Sequence, residues 1–169
     1  MVSFPSASMS SRTPAFACAL ATAGSVAALD LVTKWIVVAW VMDPPRIIPV
    51  MPSFNLVLGF NRGVSFGLLN DLGPAGPTIV SAVTGAIICL LTVWLWRTRL
   101  RSELAALSLI VGGAAGNLID RLHDGAVTDF LDFYIGDYHW PAFNGADTAI
   151  TLGAFFLLFS GLRPGRGST

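Results

Sequence analysis

The chain reads as an α-helical membrane protein, with four transmembrane helices and a small extracytoplasmic β-rich platform between helices 1 and 2. Three observations predict this. Of the 169 residues, 54% are hydrophobic and 12% charged, with a mean hydropathy of +0.69, well above the range of soluble domains. Four windows, at about 15–42, 77–96, 104–122 and 146–162, are apolar over the ~20 residues needed to cross a hydrocarbon core of about 30 Å. Basic residues gather at alternate ends of these windows: Arg12 precedes the first, Arg97, Arg99 and Arg101 separate the second from the third, and Arg163 and Arg166 follow the fourth. Cytoplasmic loops are enriched in Lys and Arg, so both termini and the middle loop are expected on the cytoplasmic side. One integral-membrane domain, 1–169, accounts for the whole chain.

Residues 1–11 are small and polar and are expected to be disordered, with Met9 an alternative start. Arg12 and the small apolar residues up to Ala28 mimic a secretory leader, but the apolar run continues past Lys34 to Val41, which favours a retained first span. Within it, Asp30 and Lys34 are four residues apart, on one helix face where they can neutralise each other. The outward connection that follows carries aromatic and branched residues bounded by Pro and Gly, the composition of short strands. A peptide can add to such an edge. Asn61 and Arg62, beside Gly63 and with Gly67 nearby, supply strong hydrogen-bonding groups for a substrate.

Span three contains Gly112-Gly113-Ala114-Ala115-Gly116, small residues that let helices approach closely in lipid. Asn117, Asp120 and Arg121 follow on one face near its outer end. Asp120 and Arg121 are adjacent and cannot face each other, so each needs another partner. Arg121 can pair with an acid of the following loop or orient a carboxylate or a substrate carbonyl. Asn144 is placed to cap the fourth helix, with Asp147 at its third position. Asp129 and Asp132 allow a plain reading as solvated loop acids. Geometry favours more for Asp129 and Asp147, because one span ends before the first and the next begins at the second. Two close carboxylates share a proton, which provides a general base and a general acid at one membrane face.

Other chemistries find less support. Cys18 and Cys89 lie within apolar spans and read as buried thiols, and Cys18 lacks the branched aliphatic residue three places upstream that lipid attachment requires. His123 and His139 have no third ligand at metal spacing, no cofactor is called for, and no basic patch indicates nucleic acid. Acid/base chemistry alone leaves a protease, a proton-coupled transporter and a structural assembly factor open, although transporters usually show more spans or repeats.

Five blocks taken together narrow the choice. Asp30-Leu-Val-Thr-Lys34, Phe60-Asn-Arg-Gly-Val-Ser-Phe-Gly67, Gly112 to Arg121, Val127-Thr-Asp-Phe130 and Phe143-Asn-Gly-Ala-Asp147 closely resemble, in order and over nearly the whole chain, the lipoprotein signal peptidases, or signal peptidase II family. The resemblance implies an aspartyl endopeptidase of the bacterial inner membrane that cleaves the signal peptide of prolipoproteins on the N-terminal side of a diacylglyceryl-modified cysteine. It implies a catalytic dyad of Asp129 and Asp147. Asp30, Lys34, Asn61, Asn117, Asp120, Arg121 and Asn144 would support the fold, the dyad or the substrate. It further implies an active site at the periplasmic face, four helices with cytoplasmic termini, contact with membrane lipid and inhibition by the cyclic peptide globomycin; a monomer is expected. Two positions depart from the family pattern: Ser65 stands where Ala is usual, and Gly145, where a larger apolar residue is usual, is expected to loosen the turn that places Asp147.

Overall fold

The computed structural model describes residues 12–63 and 75–161. The readings made for residues 1–11, for Ser65 and Gly67, and for Arg163 and Arg166 lie outside the described residues. Helix α1 (Arg12–Ile36) continues into a π-helical turn, Val37–Val41, and strands β1 (Ile48–Met51) and β2 (Phe54–Asn61) follow. Then come α2 (Gly76–Arg97), α3 (Arg101–Asp124), β3 (Val127–Ile135), β4 (Tyr138–His139) and α4 (Gly145–Gly161).

Three of these helical segments, Thr13–Val41, Gly76–Arg97 and Arg101–Asp124, are long and apolar enough to cross a membrane. The fourth, α4, is apolar but has 17 residues. Their outward faces carry Leu29, Trp40, Leu90, Phe155 and Leu158, all half or more exposed, while Asp30, Lys34, Asn117 and Asp120 are buried. That inverts the soluble pattern: apolar side chains face lipid, and the polar ones find partners inside the bundle. Cys18 and Cys89 belong to the outward set. Both are exposed free thiols, so their expected burial is corrected; an apolar thiol is as well accommodated by lipid as by a core.

Helix α3 is the hub and packs against all three other helices. Its inner face is built from small residues, Ala106, Gly112, Gly113, Ala114 and Gly116, all buried, which lets neighbouring backbones come close. The helix ends at Gly125, where φ is 72° and the amide returns to the Arg121 carbonyl at 3.1 Å. A left-handed residue of this kind, most often glycine, stops a helix and turns the chain sharply.

The strands form one antiparallel sheet in the order β1-β2-β3-β4. The platform therefore draws on two connections, the one between α1 and α2 and the one between α3 and α4, where the sequence pointed only to the first. Asp129 and Asp132 accordingly sit on a strand and are buried; neither is a solvated loop acid. In the central pairing Asn55 faces Asp132 and Gly59 faces Asp129, with an irregular register between Leu56 and Gly59. Phe130 packs with Val37 and Met42 to hold the sheet against the end of α1.

Candidate active site

The site is built where β3 and the start of α4 meet the outer part of α3. Asn144 precedes α4 and is fully buried. Its carbonyl oxygen Oδ1 accepts the Asp147 amide N–H at 2.9 Å, the cap anticipated from the spacing of the two residues. Its amide nitrogen donates to Asp129 Oδ1 at 2.7 Å, with longer approaches of 3.3 Å to Asn117 Oδ1 and the Thr128 carbonyl. Asn117 Nδ2 in turn donates to Asp147 Oδ1 at 2.8 Å. Two carboxylates from different elements are thus tied to one pair of side-chain amides.

Behind this pair stands a buried charge cluster. Lys34 Nζ lies 2.7 Å from Asp30 Oδ2, 2.8 Å from Asp120 Oδ2 and 2.9 Å from Asn117 Oδ1. The helical Asp30–Lys34 pair expected from the four-residue spacing is present, and the same ammonium also reaches α3. Asp30 Oδ1 accepts the Ala146 amide at 2.8 Å, and Asp120 Oδ2 accepts the Thr128 amide at 3.2 Å. One carboxylate therefore holds the first turn of α4, and the other holds β3 beside Asp129. Gly116 makes room for this: a methyl group there would lie 2.7 Å from Asp30 Oδ2. Gly145, the unusual residue of the turn, is also close, since a Cβ would lie 3.3 Å from Asp30 Oδ1. A small residue at 145 thus relieves crowding against the carboxylate that anchors the turn.

Arg121 turns the other way. Its Nη2 donates to the Gly63 carbonyl at 2.7 Å and its Nη1 approaches the Asn117 carbonyl at 3.4 Å. Among the described residues its hydrogen bonds go to these two carbonyls, while the acids that act on it through charge are Asp147, Asp129 and Asp120, the second of them from the segment after α3 where the sequence places a partner. Asn61 Oδ1 accepts the Gly63 amide at 3.1 Å, and the Asn61 side chain also hydrogen-bonds Asp129.

Asp129 and Asp147 open onto one cavity of about 950 Å³. Its walls include Asn61 and Arg62 from the β2 end, Trp140 and Phe143 from the segment before α4, and Thr151 and Leu152 deeper along α4. Burial, followed by the charge of Asp147, pushes the Asp129 carboxyl up to about 6, against the lowering effect of its hydrogen bonds from Asn144 and Asn61. A carboxyl that keeps its proton beside an acidic neighbour is the arrangement that acid/base hydrolysis uses.

Residues 22–163 match the family model described as signal peptidase (SPase) II. The chain belongs to the signal peptidase II family. It is 45% identical to a lipoprotein signal peptidase of Solibacter usitatus over 153 residues, covering 88% of this chain and 92% of that one. A lipoprotein signal peptidase of Azoarcus sp. is 44% identical over 149 residues, 87% of this chain and 84% of the other. The fold resembles that of a bacterial membrane enzyme solved by the in meso method at 2.3 Å, with a TM-score of 0.77 and 27% identity over 90% of this chain and 95% of that one. A second structure obtained by the same method, at 1.9 Å, gives 0.73 and 30% identity over 87% and 94%. As a signal peptidase II the chain is a multi-pass membrane protease.

Within this signal peptidase II, the ten site residues named from the sequence lie in one connected region: Asp129, Asp147, Asn61 and Arg62 on the cavity, Asn117 and Asn144 between the two carboxyls, Asp30, Lys34 and Asp120 behind, and Arg121 on the Gly63 carbonyl beside them. Sequence reasoning missed the wall residues Trp140 and Phe143. It also missed the partners of Asp132, which are Asn55, with Nδ2 to Oδ2 at 3.0 Å, and His139. The alternation of β3 was the available signal for Asp132, but Asn55 is 77 residues away in the chain.

Proposed function

We propose that this chain is an aspartyl endopeptidase that cleaves prolipoproteins on the N-terminal side of their diacylglyceryl-modified cysteine, with Asp129 and Asp147 as the catalytic pair. The observation that carries this reading is the single amide bridge, Asn117 and Asn144, holding both carboxyls beside one cavity. Asp129, which keeps its proton to about 6, acts first as general acid; Asp147 acts as general base. Asp147 takes a proton from a water that attacks the scissile carbonyl carbon, while Asp129 gives its proton to the carbonyl oxygen. A tetrahedral diol results. Its collapse breaks the C–N bond as the proton on Asp147 passes to the departing amine and a diol hydroxyl returns its proton to Asp129, so both carboxyls regain their starting states. No covalent intermediate forms.

Asn61, Arg62 and Arg121 are the groups we assign to the substrate backbone, and Asp30, Lys34 and Asp120 fix the frame. The reading includes four crossings, α4 being the last, with cytoplasmic termini, the sheet at the periplasmic surface of the inner membrane, and a monomer inhibited by globomycin. The acyl chains and signal helix of the substrate remain in lipid, so its scissile bond is reachable only at the bilayer edge. Purified Asp129→Asn and Asp147→Asn variants are expected to insert and fold but to lose at least about 10³-fold in cleavage of a diacylated precursor, because each removes one half of the proton relay. Full cleavage by either variant refutes the assignment. A non-acylated precursor is expected to remain uncut.

A further inference from the structure

Asp132 is one of four buried aspartates among the described residues, 6% exposed, and neither the proton relay nor the Lys34 cluster uses it. It lies three residues beyond Asp129 on β3, so strand alternation sends it to the opposite face of the sheet. There Asn55 Nδ2 donates to its Oδ2 at 3.0 Å, and His139 Nδ1 sits 2.9 Å from Oδ1 and 3.0 Å from Oδ2. The tautomer that makes this contact a hydrogen bond to a carboxylate carries its proton on Nδ1. The ring also stacks on Tyr134, centroid to centroid 5.0 Å, while half of the His139 side chain stays exposed.

His139 ends β4, and the next four residues form a strap that leads directly to Asn144. The strap is laced to β3 by the Trp140 amide on the Phe133 carbonyl at 2.7 Å and the Phe143 amide on the Leu131 carbonyl at 3.1 Å. The Phe143 carbonyl accepts the Phe130 and Leu131 amides at 3.0 and 2.9 Å. Trp140 and Phe143 face the cavity, and Asn144 donates to the Asp129 carboxyl while accepting the backbone amide of Asp147. A half-exposed imidazole adds little to a core, and a buried charge serves stability poorly compared with an apolar side chain of similar volume. What the Asp132–His139 contact does supply is a directional tie between the body of β3 and the near end of the strap.

We infer that His139 and Asp132 are positioning residues: their hydrogen bond, braced by Asn55, pins the strap that sets Asn144 and hence the spacing of Asp129 and Asp147. This rests on the peptidase reading of the dyad. Loosening the strap weakens the Asn144 donation to Asp129, one of the contacts that hold its carboxyl down, so the limb of the pH profile governed by Asp129 moves to higher pH.

The test uses the full-length purified enzyme and a diacylated precursor. His139→Ala is expected to lower kcat by about 10- to 100-fold, the scale of a small misplacement of catalytic groups, with KM changed less than about threefold and the unfolding temperature close to wild type. His139→Asn places an amide N–H where Nδ1 stood and is expected to recover kcat to within about threefold of wild type, with the pH profile restored. Any one of three results overturns the inference: wild-type kcat in His139→Ala, no recovery in His139→Asn, or a loss of rate with an unmoved pH profile. Wild-type enzyme that cleaves the precursor while Asp129→Asn does not keeps the dyad reading intact whichever way His139 behaves.

Discussion

A carboxyl whose proton is retained up to about 6 in the folded chain, against an ordinary 3.8, makes its own charge a burden on the fold. Because folding favours the protonated form, the stability that Asp129 contributes is complete below about pH 4 and is lost as the pH rises through about 6, a difference of roughly 3 kcal/mol. Asp129→Asn removes that ionisation. At pH 7.5 the variant is therefore expected to unfold several degrees above wild type, and at pH 4 the two should coincide; equal unfolding temperatures at pH 7.5 would count against the burial of this charge. Lys34 presents the opposite case. It faces Asp30 and Asp120 with side chains under 10% exposed, so Lys34→Met leaves two buried carboxylates without their cation. A loss of about 3–5 kcal/mol is expected, read as reduced thermal stability in detergent and a poor yield of folded protein.

Elements meet here at glycines where an added Cβ would lie 2.5 to 2.7 Å from the neighbouring element, and this is where local sequence patterns gave way to tertiary ones. The Asp30–Lys34 pair and the Asn144–Asp147 cap follow from helical spacings of four and three, so both were legible before any fold was known. The Gly112 to Gly116 run announced a helix crossing. What it could not announce was the partner: Gly116 faces the Asp30 carboxylate, which in turn holds the Ala146 amide. Gly116→Ala is expected to displace that carboxylate and shift the first turn of α4, costing about 1–3 kcal/mol of stability and about 10- to 100-fold in kcat; the two effects are separable by unfolding and turnover measurements on one preparation. Wild-type turnover in this variant would show that the α1–α3 contact does not transmit to Asp147. The sheet was only half legible for the same reason. β1 and β2 follow each other closely and carry turn residues, whereas the pairing of Asn55 with Asp132 joins connections separated by two helices, and no local periodicity encodes it.

At the scale of the molecule, the shared sheet ties together the ends of α1 and α3 and the beginning of α4. The Arg97 to Arg101 turn lies at the far end of α2 and the near end of α3, a full helix length from the sheet. Alternate helices therefore run towards the sheet and away from it, and the proposed topology takes the side of the arginine turn as cytoplasmic, following the enrichment of Lys and Arg in cytoplasmic loops. If α4 completes the fourth crossing, the hairpin tip between β3 and β4 and the arginine turn lie on opposite sides of the bilayer, and the proposed topology puts the tip outside. Asp137 at that tip and Arg99 in that turn are both well placed for a thiol label. With Cys18 and Cys89 first replaced by Ala, Asp137→Cys in intact spheroplasts is expected to react with a membrane-impermeant maleimide, and Arg99→Cys only after lysis. The reverse pattern would put the dyad on the cytoplasmic side, away from any exported precursor. Equal labelling of both in intact cells would break the premise that a bilayer separates the sheet from the arginine turn.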